Sequence, residues 1–146
     1  MKIVAHKNDF SGDIDLPVIM IAEGNYQTAE EIAASIDAAL EPIVMDDSEL
    51  PSQKYIKSWY ISDGQIHINM ETARDHLRGG LRMWRNQFLL DLDVAFQRAL
   101  ETGADTTEIV SQKQYYRDVT SDPRIDAAQT TDELDAIWQS LTVDGE

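Results

Sequence analysis

The run from Met70 to Leu100 constrains this chain more than any other part of it. Leu77, Leu81, Trp84, Phe88, Leu92, Phe96 and Leu100 recur at spacings of three and four, the period of a single helix face. Asn69 stands where an N-cap belongs, and Gly103 stands where a helix stops. At ~1.5 Å per residue a continuous helix here spans about 46 Å. Gly79 and Gly80 weaken it by about 2 kcal/mol relative to alanines, so the pair marks either a bend or a close approach. A second run returns through Ile109, Gln112 and Tyr116 to Thr120, opened by a capping box at Asp105–Glu108. The pattern predicts a helical hairpin. Asp122-Pro123 then starts a short helix, and Thr130 with Glu133 caps a last one whose Leu134, Ile137, Trp138 and Leu141 point inward.

Residues 1–69 follow a different pattern, of strands plus one helix. Lys2 to His6 reads as a first strand and Asn8 to Gly12 as a turn. Val18 to Ala22 reads as a buried strand. Thr28 and Glu31 form a capping box for a helix carrying Ile32, Ile36 and Leu40, which Pro42 ends. Ile43 to Met45 is a short strand, and Asp46 to Ser52 a loop. Tyr55 to Ile61 alternates as a strand, Ser62 to Gln65 turns, and Ile66 to Met70 returns as a hairpin. The predicted fold class is α+β: a small antiparallel sheet with one helix, then the long helical hairpin and short C-terminal helices. Two regions are expected, an N-terminal α+β lobe at 1–69 and a helical part at 70–146.

Composition sets the function classes. At 146 residues with 42% apolar content the chain can bury one core, or two small ones. Its 12 basic and 27 acidic residues give a net charge of −15. Phosphate binding needs basic patches that release counterions, so nucleic acid is not the expected partner. The acidity is unevenly distributed, at −8 over residues 1–69, zero over 70–101 and −7 over 102–146. The absence of cysteine excludes disulfides and thiolate chemistry. No run is apolar enough for a signal peptide or a bilayer span, the longest being Leu16 to Ala22 with Pro17 inside it. The expectation is a soluble chain that does not act at a membrane.

Catalytic chemistry finds no footing. His6, His67 and His76 lie far apart and in no metal-ligand spacing. Asp46, Asp47 and Glu49 cluster without the alternation or the glycine of a calcium loop, so a solvated acidic turn is favoured. Asp91 and Asp93 are two apart on a helix and do not share a face for acid–base work. No nucleophile elbow or phosphate loop is present. The expectation is therefore a protein that is not an enzyme and carries neither metal nor cofactor. Arg74, Arg78, Arg82 and Arg85 step by four, four and three into a basic stripe. Such a stripe serves an anionic partner surface or docks onto acidic parts of its own chain. Together with Trp84, Tyr115 and Tyr116 it makes the candidate partner-binding set, the residue types that concentrate interface energy.

From residue 43 onward, about two thirds of the chain, an ordered set of motifs appears. Ile43 to Pro51 is a strand and acidic loop, followed by the aromatic segment Tyr55 to Tyr60 with Trp59 in it. A hairpin leads into Met70 to Arg74, with arginines continuing to the segment Leu89 to Glu101. Lys113-Gln-x-x-Arg117-Asp-Val-Thr-x-Asp-Pro123 and a tail from Thr131 to Trp138 close the series. In that order the motifs resemble small phage proteins grouped with tail or tail-fibre assembly chaperones. Tyr115 and Tyr116 stand where that pattern more usually has Ala-Leu.

The resemblance implies a non-enzymatic bacteriophage tail protein at the tail tip or fibre. It would either help fibres fold and trimerise or remain in the virion. Its partner would be a tail-fibre or baseplate protein, and a homo-oligomer is compatible with that role. Its place would be the virion tail, and the host cytoplasm during assembly. The net charge supports an alternative, an acidic phage-encoded inhibitor that mimics DNA and binds a basic host protein. A metal-dependent enzyme is the least favoured reading.

Overall fold

The structure, a computed structural model, describes residues 1–8 and 17–143. The chain divides into two compact units, Met1–Ala73 and Arg74–Glu146. The architecture is α+β. The turn expected at Asn8 to Gly12 runs outside the described residues.

The first unit is built around β1 (Lys2–Lys7), the central strand of an antiparallel sheet ordered β2-β1-β3, with β2 at Val18–Ala22 and β3 at Ile43–Asp46. Residues Ile3, Val4, Ala5 and His6 are all buried, as a central strand covered on both faces requires. The pairing Ile3 with Met45, and Ala5 with Ile43 and Met20, gathers one face. Ala5 and Val18 there join Trp59 and Ile61 of a second, two-stranded sheet, with Met20, Ile43, Met45, Ile66 and Ile68 packed around them. Each such fully buried side chain contributes about 1.5–3 kcal/mol. Helix α1 (Ala29–Ser35) packs on β1 and β3. The strand expected to be buried at Val18 to Ala22 is instead an edge strand. Only Val18 is buried, and Ile21 is exposed, because β2 has a neighbour on one side only.

Local side chains decide where elements start and end. Thr28 and Glu31 form the expected reciprocal cap of α1. That helix ends earlier than its apolar period suggests, at Ser35, and Ile36 is extended. Ser35 donates its hydroxyl to the Ile32 carbonyl, and the Asp37 carboxylate accepts from the Ala39 amide to start a separate 3₁₀ turn at Ala38–Leu40. Short polar side chains compete with the helix for its own backbone groups. The segment from Tyr55 is likewise not a strand at its start. Gln53–Ser58 forms a 3₁₀ turn that buries Tyr55 and Ser58, and β4 begins at Trp59. Strand β4 (Trp59–Ser62) pairs with β5 (Gln65–Ile68) through Asp63 and Gly64, whose φ values of 52° and 71° make the two-residue turn that matches strand twist.

The second unit is helical from its first residue. Helix α2 runs unbroken from Met70 to Thr102, with the Asn69 side chain accepting from the Glu71 and Thr72 amides. Gly103, at φ 69°, ends it and leaves the Ala104 amide to bond the Ala99 carbonyl. The expected capping box at Asp105–Glu108 is absent. The Asp105 carboxylate accepts from both the amide and the hydroxyl of Thr107, while Glu108 accepts from Gln112. Helix α3 (Thr107–Asp118) returns antiparallel to α2. Helix α4 (Pro123–Ala127) starts on proline with Asp122 capping, and α5 (Thr131–Val143) starts on the Thr130–Glu133 box. Leu134, Ile137 and Leu141 of α5 are buried, as are Leu77 and Leu81 of α2.

Candidate interaction surface on the helical hairpin

Three of the four stripe arginines are consumed inside the second unit. Arg74 Nη2 donates to the Ala128 carbonyl at 2.7 Å, at the end of α4. Arg78 Nη2 reaches Asp126 at 2.5 Å, and that hydrogen bond raises the Arg78 pKa above its ordinary value. Arg85 Nη1 donates to the Arg117 carbonyl at 2.9 Å and the Thr120 hydroxyl at 3.1 Å, satisfying one acceptor in the last turn of α3 and one just past it. The Nε groups of Arg74 and Arg85 are buried without a partner, so each docked guanidinium gives up part of its solvation. Arg82 is exposed and makes no ion pair among the described residues. The stripe is thus largely a set of internal latches between α2 and the segments that follow α3.

The aromatic candidates divide in a similar way. Phe88 and Tyr116 stack at 4.8 Å with their planes 4° apart, and Trp84 tilts against both rings at 5.0 and 5.5 Å. This cluster is the seam of the hairpin. Tyr116 is buried in it, and Trp84 is half-buried. Tyr115 donates its hydroxyl to the Leu141 carbonyl at 3.0 Å and keeps 39% of its surface. Nearer the hairpin tip, Lys113 lies 2.6 Å from Asp93 and 4.9 Å from the Phe96 ring centroid, with its side chain 14% exposed. Of the seven candidate residues, Arg82 and the outer part of Tyr115 are the ones left facing solvent.

Residues outside that candidate set present the apolar surface. Met83, Leu90, Val94 and Leu100 of α2 are 76, 67, 52 and 56% exposed. Met83, Leu90 and Val94 are out of phase with the inward line of Leu77, Leu81 and the half-buried Phe88. That offset, spacings of seven and four on a second line, was the signal in the sequence. Leu100, which its spacing puts on the core line, stands on the surface, because Ala99 beside it takes the buried position at the helix end.

The three histidines and the acidic cluster stand apart from one another. His6 is buried with Nδ1 2.7 Å from the Lys7 carbonyl, His67 stacks on Tyr60 at 5.3 Å, and His76 is exposed on α2. Asp46, Asp47 and Glu49 form a capped 3₁₀ turn rather than an open loop. No group of three or more His, Asp or Glu side chains converges as metal ligands among the described residues. A depression of about 730 Å³ lies beside α1 and β3, but its cation, Lys7, is ion-paired to Glu41 on its rim. No helix in the described residues is long and apolar enough to cross a membrane. No protein-family model, curated protein or solved structure matches this chain.

Proposed function

We propose that this chain is a non-enzymatic bacteriophage tail protein that acts by binding other proteins, as a fibre assembly chaperone or a structural component of the tail tip or fibre. The ordered motifs from Ile43 to Trp138 support the phage reading. The observation that carries the binding role is the row Met83, Leu90 and Val94, exposed on a helix whose opposite side already forms a core. Exposed apolar rows of this kind on soluble chains mark contact surfaces. Mass spectrometry of purified virions, paired with a knockout, tests the assignment. Stoichiometric presence in the particle identifies a structural part. Absence from the particle together with defective fibres identifies a chaperone. Intact, infectious virions without the protein would end the reading.

The net charge of −15 favours a second reading, an acidic inhibitor that mimics DNA. A mimic must present carboxylates in rows that imitate phosphates, and the longest element, over 70–101, carries five acidic and five basic residues. Salt-sensitive binding to a basic host DNA-binding protein, competed by duplex DNA, would favour this reading over the first.

A further inference from the structure

The three-stranded sheet of the first unit has two edges, and the chain treats them differently. In an antiparallel pair, alternate residues of an edge strand bond the neighbour, and those between point N–H and C=O outward. The Glu23 amide donates to the Lys2 carbonyl and the Asn8 amide to the Pro17 carbonyl, which fixes the phase on β2. Ile19 and Ile21 therefore bond β1, while Val18, Met20 and Ala22 face away from it. On β3 the Asp47 amide donates to the Met1 carbonyl, so Val44 and Asp46 face outward. That edge is closed within four residues. Pro42 before it has no N–H, the Glu49 carboxylate accepts the Asp46 amide, and the chain leaves in a 3₁₀ turn. The β2 edge has no such guard. It carries no charge, proline or bulge, and its register with β1 runs through five pairs. No hydrogen bond among the described residues uses the outward groups of Met20 or Ala22. Val18 is buried at one end, and the strand opens through Ile21 to Ala22, both exposed.

Charge around this edge specifies what can use it. From Val18 to Gln53 the sequence has eight acidic residues and no basic one. The lysines of β1 are already paired, Lys2 with Glu30 and Lys7 with Glu41. Glu23 follows the open end of β2 directly. We propose that β2 docks an extended, lysine- or arginine-bearing segment of another protein, which joins the sheet as a fourth strand. An extended backbone repeats its donors and acceptors every second residue, the spacing at which Met20 and Ala22 present theirs. Apolar side chains at alternate positions of that segment pack beside Ile21, and its basic side chains meet the surrounding carboxylates. A second copy of this chain would bring the same acidic unit, on a chain of charge −15, against itself. A basic segment is drawn in by the charge that repels a copy. The docking chemistry does not depend on the phage role.

The probe is a short blocked peptide of alternating lysine and valine, added to the full chain and followed by amide hydrogen exchange. In the chain alone the Met20 and Ala22 amides should exchange freely, while Ile19 and Ile21 are protected by β1. Saturating peptide should slow Met20 and Ala22 at least about 10-fold and leave Ile19 and Ile21 as they were. Binding should weaken as salt rises from about 0.05 to 0.5 M. Ala22→Pro removes an outward donor and no bond to β1, so it should weaken the peptide at least about 10-fold with an unchanged circular dichroism spectrum. N-methylating alternate peptide amides, at the valines or at the lysines, tests the same bonds with the protein untouched. The pattern that blocks the amides facing β2 should abolish binding. Four results overturn the proposal. One is no binding of the lysine–valine peptide at about 1 mM. The second is binding that both methylation patterns leave intact. The third is equal binding of a peptide with glutamate in place of lysine. The fourth is protection of Met20 and Ala22 in the chain alone. Protection that grows with chain concentration would assign the edge to a second copy, and protection at every dilution would mean the chain covers the edge itself.

Discussion

Gly80 lies against the Trp138 ring, so close that a Cβ there would sit 3.0 Å from Cζ3 and 3.6 Å from Cη2. Gly79, its neighbour in the same helix, has nothing within 4 Å of that position. The two glycines therefore weaken α2 for different reasons, and only Gly80 is needed for packing. Gly79→Ala should stabilise the chain by about 0.5–1 kcal/mol through helix propensity. Gly80→Ala should fall at least about 1 kcal/mol below it, because the ring of Trp138 must shift to admit the methyl. Urea denaturation of both variants at low protein concentration checks this. Equal effects would mean that α5 does not need the close approach.

The arginine stripe gives a second prediction, because its members do unlike things. Arg78→Glu places a carboxylate beside Asp126 and Asp75 and should cost about 1–3 kcal/mol of stability. Arg82→Glu should change stability by no more than about 0.5 kcal/mol. Thermal melts of the two single variants separate the cases. A stable Arg78→Glu protein would mean that the latch to Asp126 is not made in solution.

How far the sequence could be read depends on how local each determinant is. The Thr28 and Thr130 capping boxes, the Asp63-Gly64 turn and the Gly103 stop involve groups a few residues apart, and all are present as the residues predict. The break after Ser35 was hidden because Ile36 and Leu40 keep the helical period while Ser35 and Asp37 divert the backbone bonds. The fate of the arginines was not legible, since Arg74 and Arg85 find carbonyls 54 and 32 residues away. An arginine row bound for a partner and one bound for internal carbonyls look the same until the chain returns on itself. The exposed line on α2 was hidden by the stronger core line running beside it.

Acid should act on the capped turn after β3. Asp46 is held at about 2 because the Ser48 hydroxyl and amide both donate to its Oδ1. A carboxylate depressed in the fold contributes its stabilisation fully above its unfolded value, about 3.9, and loses it as pH falls through the folded value. Asp105, lowered by Thr107, and Asp122, lowered by Arg124, act in the same direction. Melting temperature should therefore decline in the window from about pH 4 down to about pH 2, and Asp46→Asn should flatten part of that decline. Carboxyl-carbon chemical shifts should give Asp46 a midpoint near 2. A midpoint at the ordinary value would mean the Ser48 cap is open.

The two apolar lines of α2 make the sharpest contrast. Leu81 is fully buried, and Phe88 stacks on Tyr116 in the hairpin seam. Leu81→Ala should cost about 2–5 kcal/mol, from lost burial and the cavity left behind. Phe88→Ala should cost about 2–4 kcal/mol, less than a fully enclosed ring, because one side of the seam is open. Leu90→Ala, on the exposed line, should move monomer stability by under about 0.5 kcal/mol. Chemical denaturation at dilutions where the chain is monomeric measures all three on one scale. The ordering is the decisive result, since a Leu90→Ala cost matching Leu81→Ala would place Leu90 in a core that the fold does not give it. If Leu90→Ala is silent at high dilution and destabilising at high concentration, the difference measures the free energy of whatever covers that line.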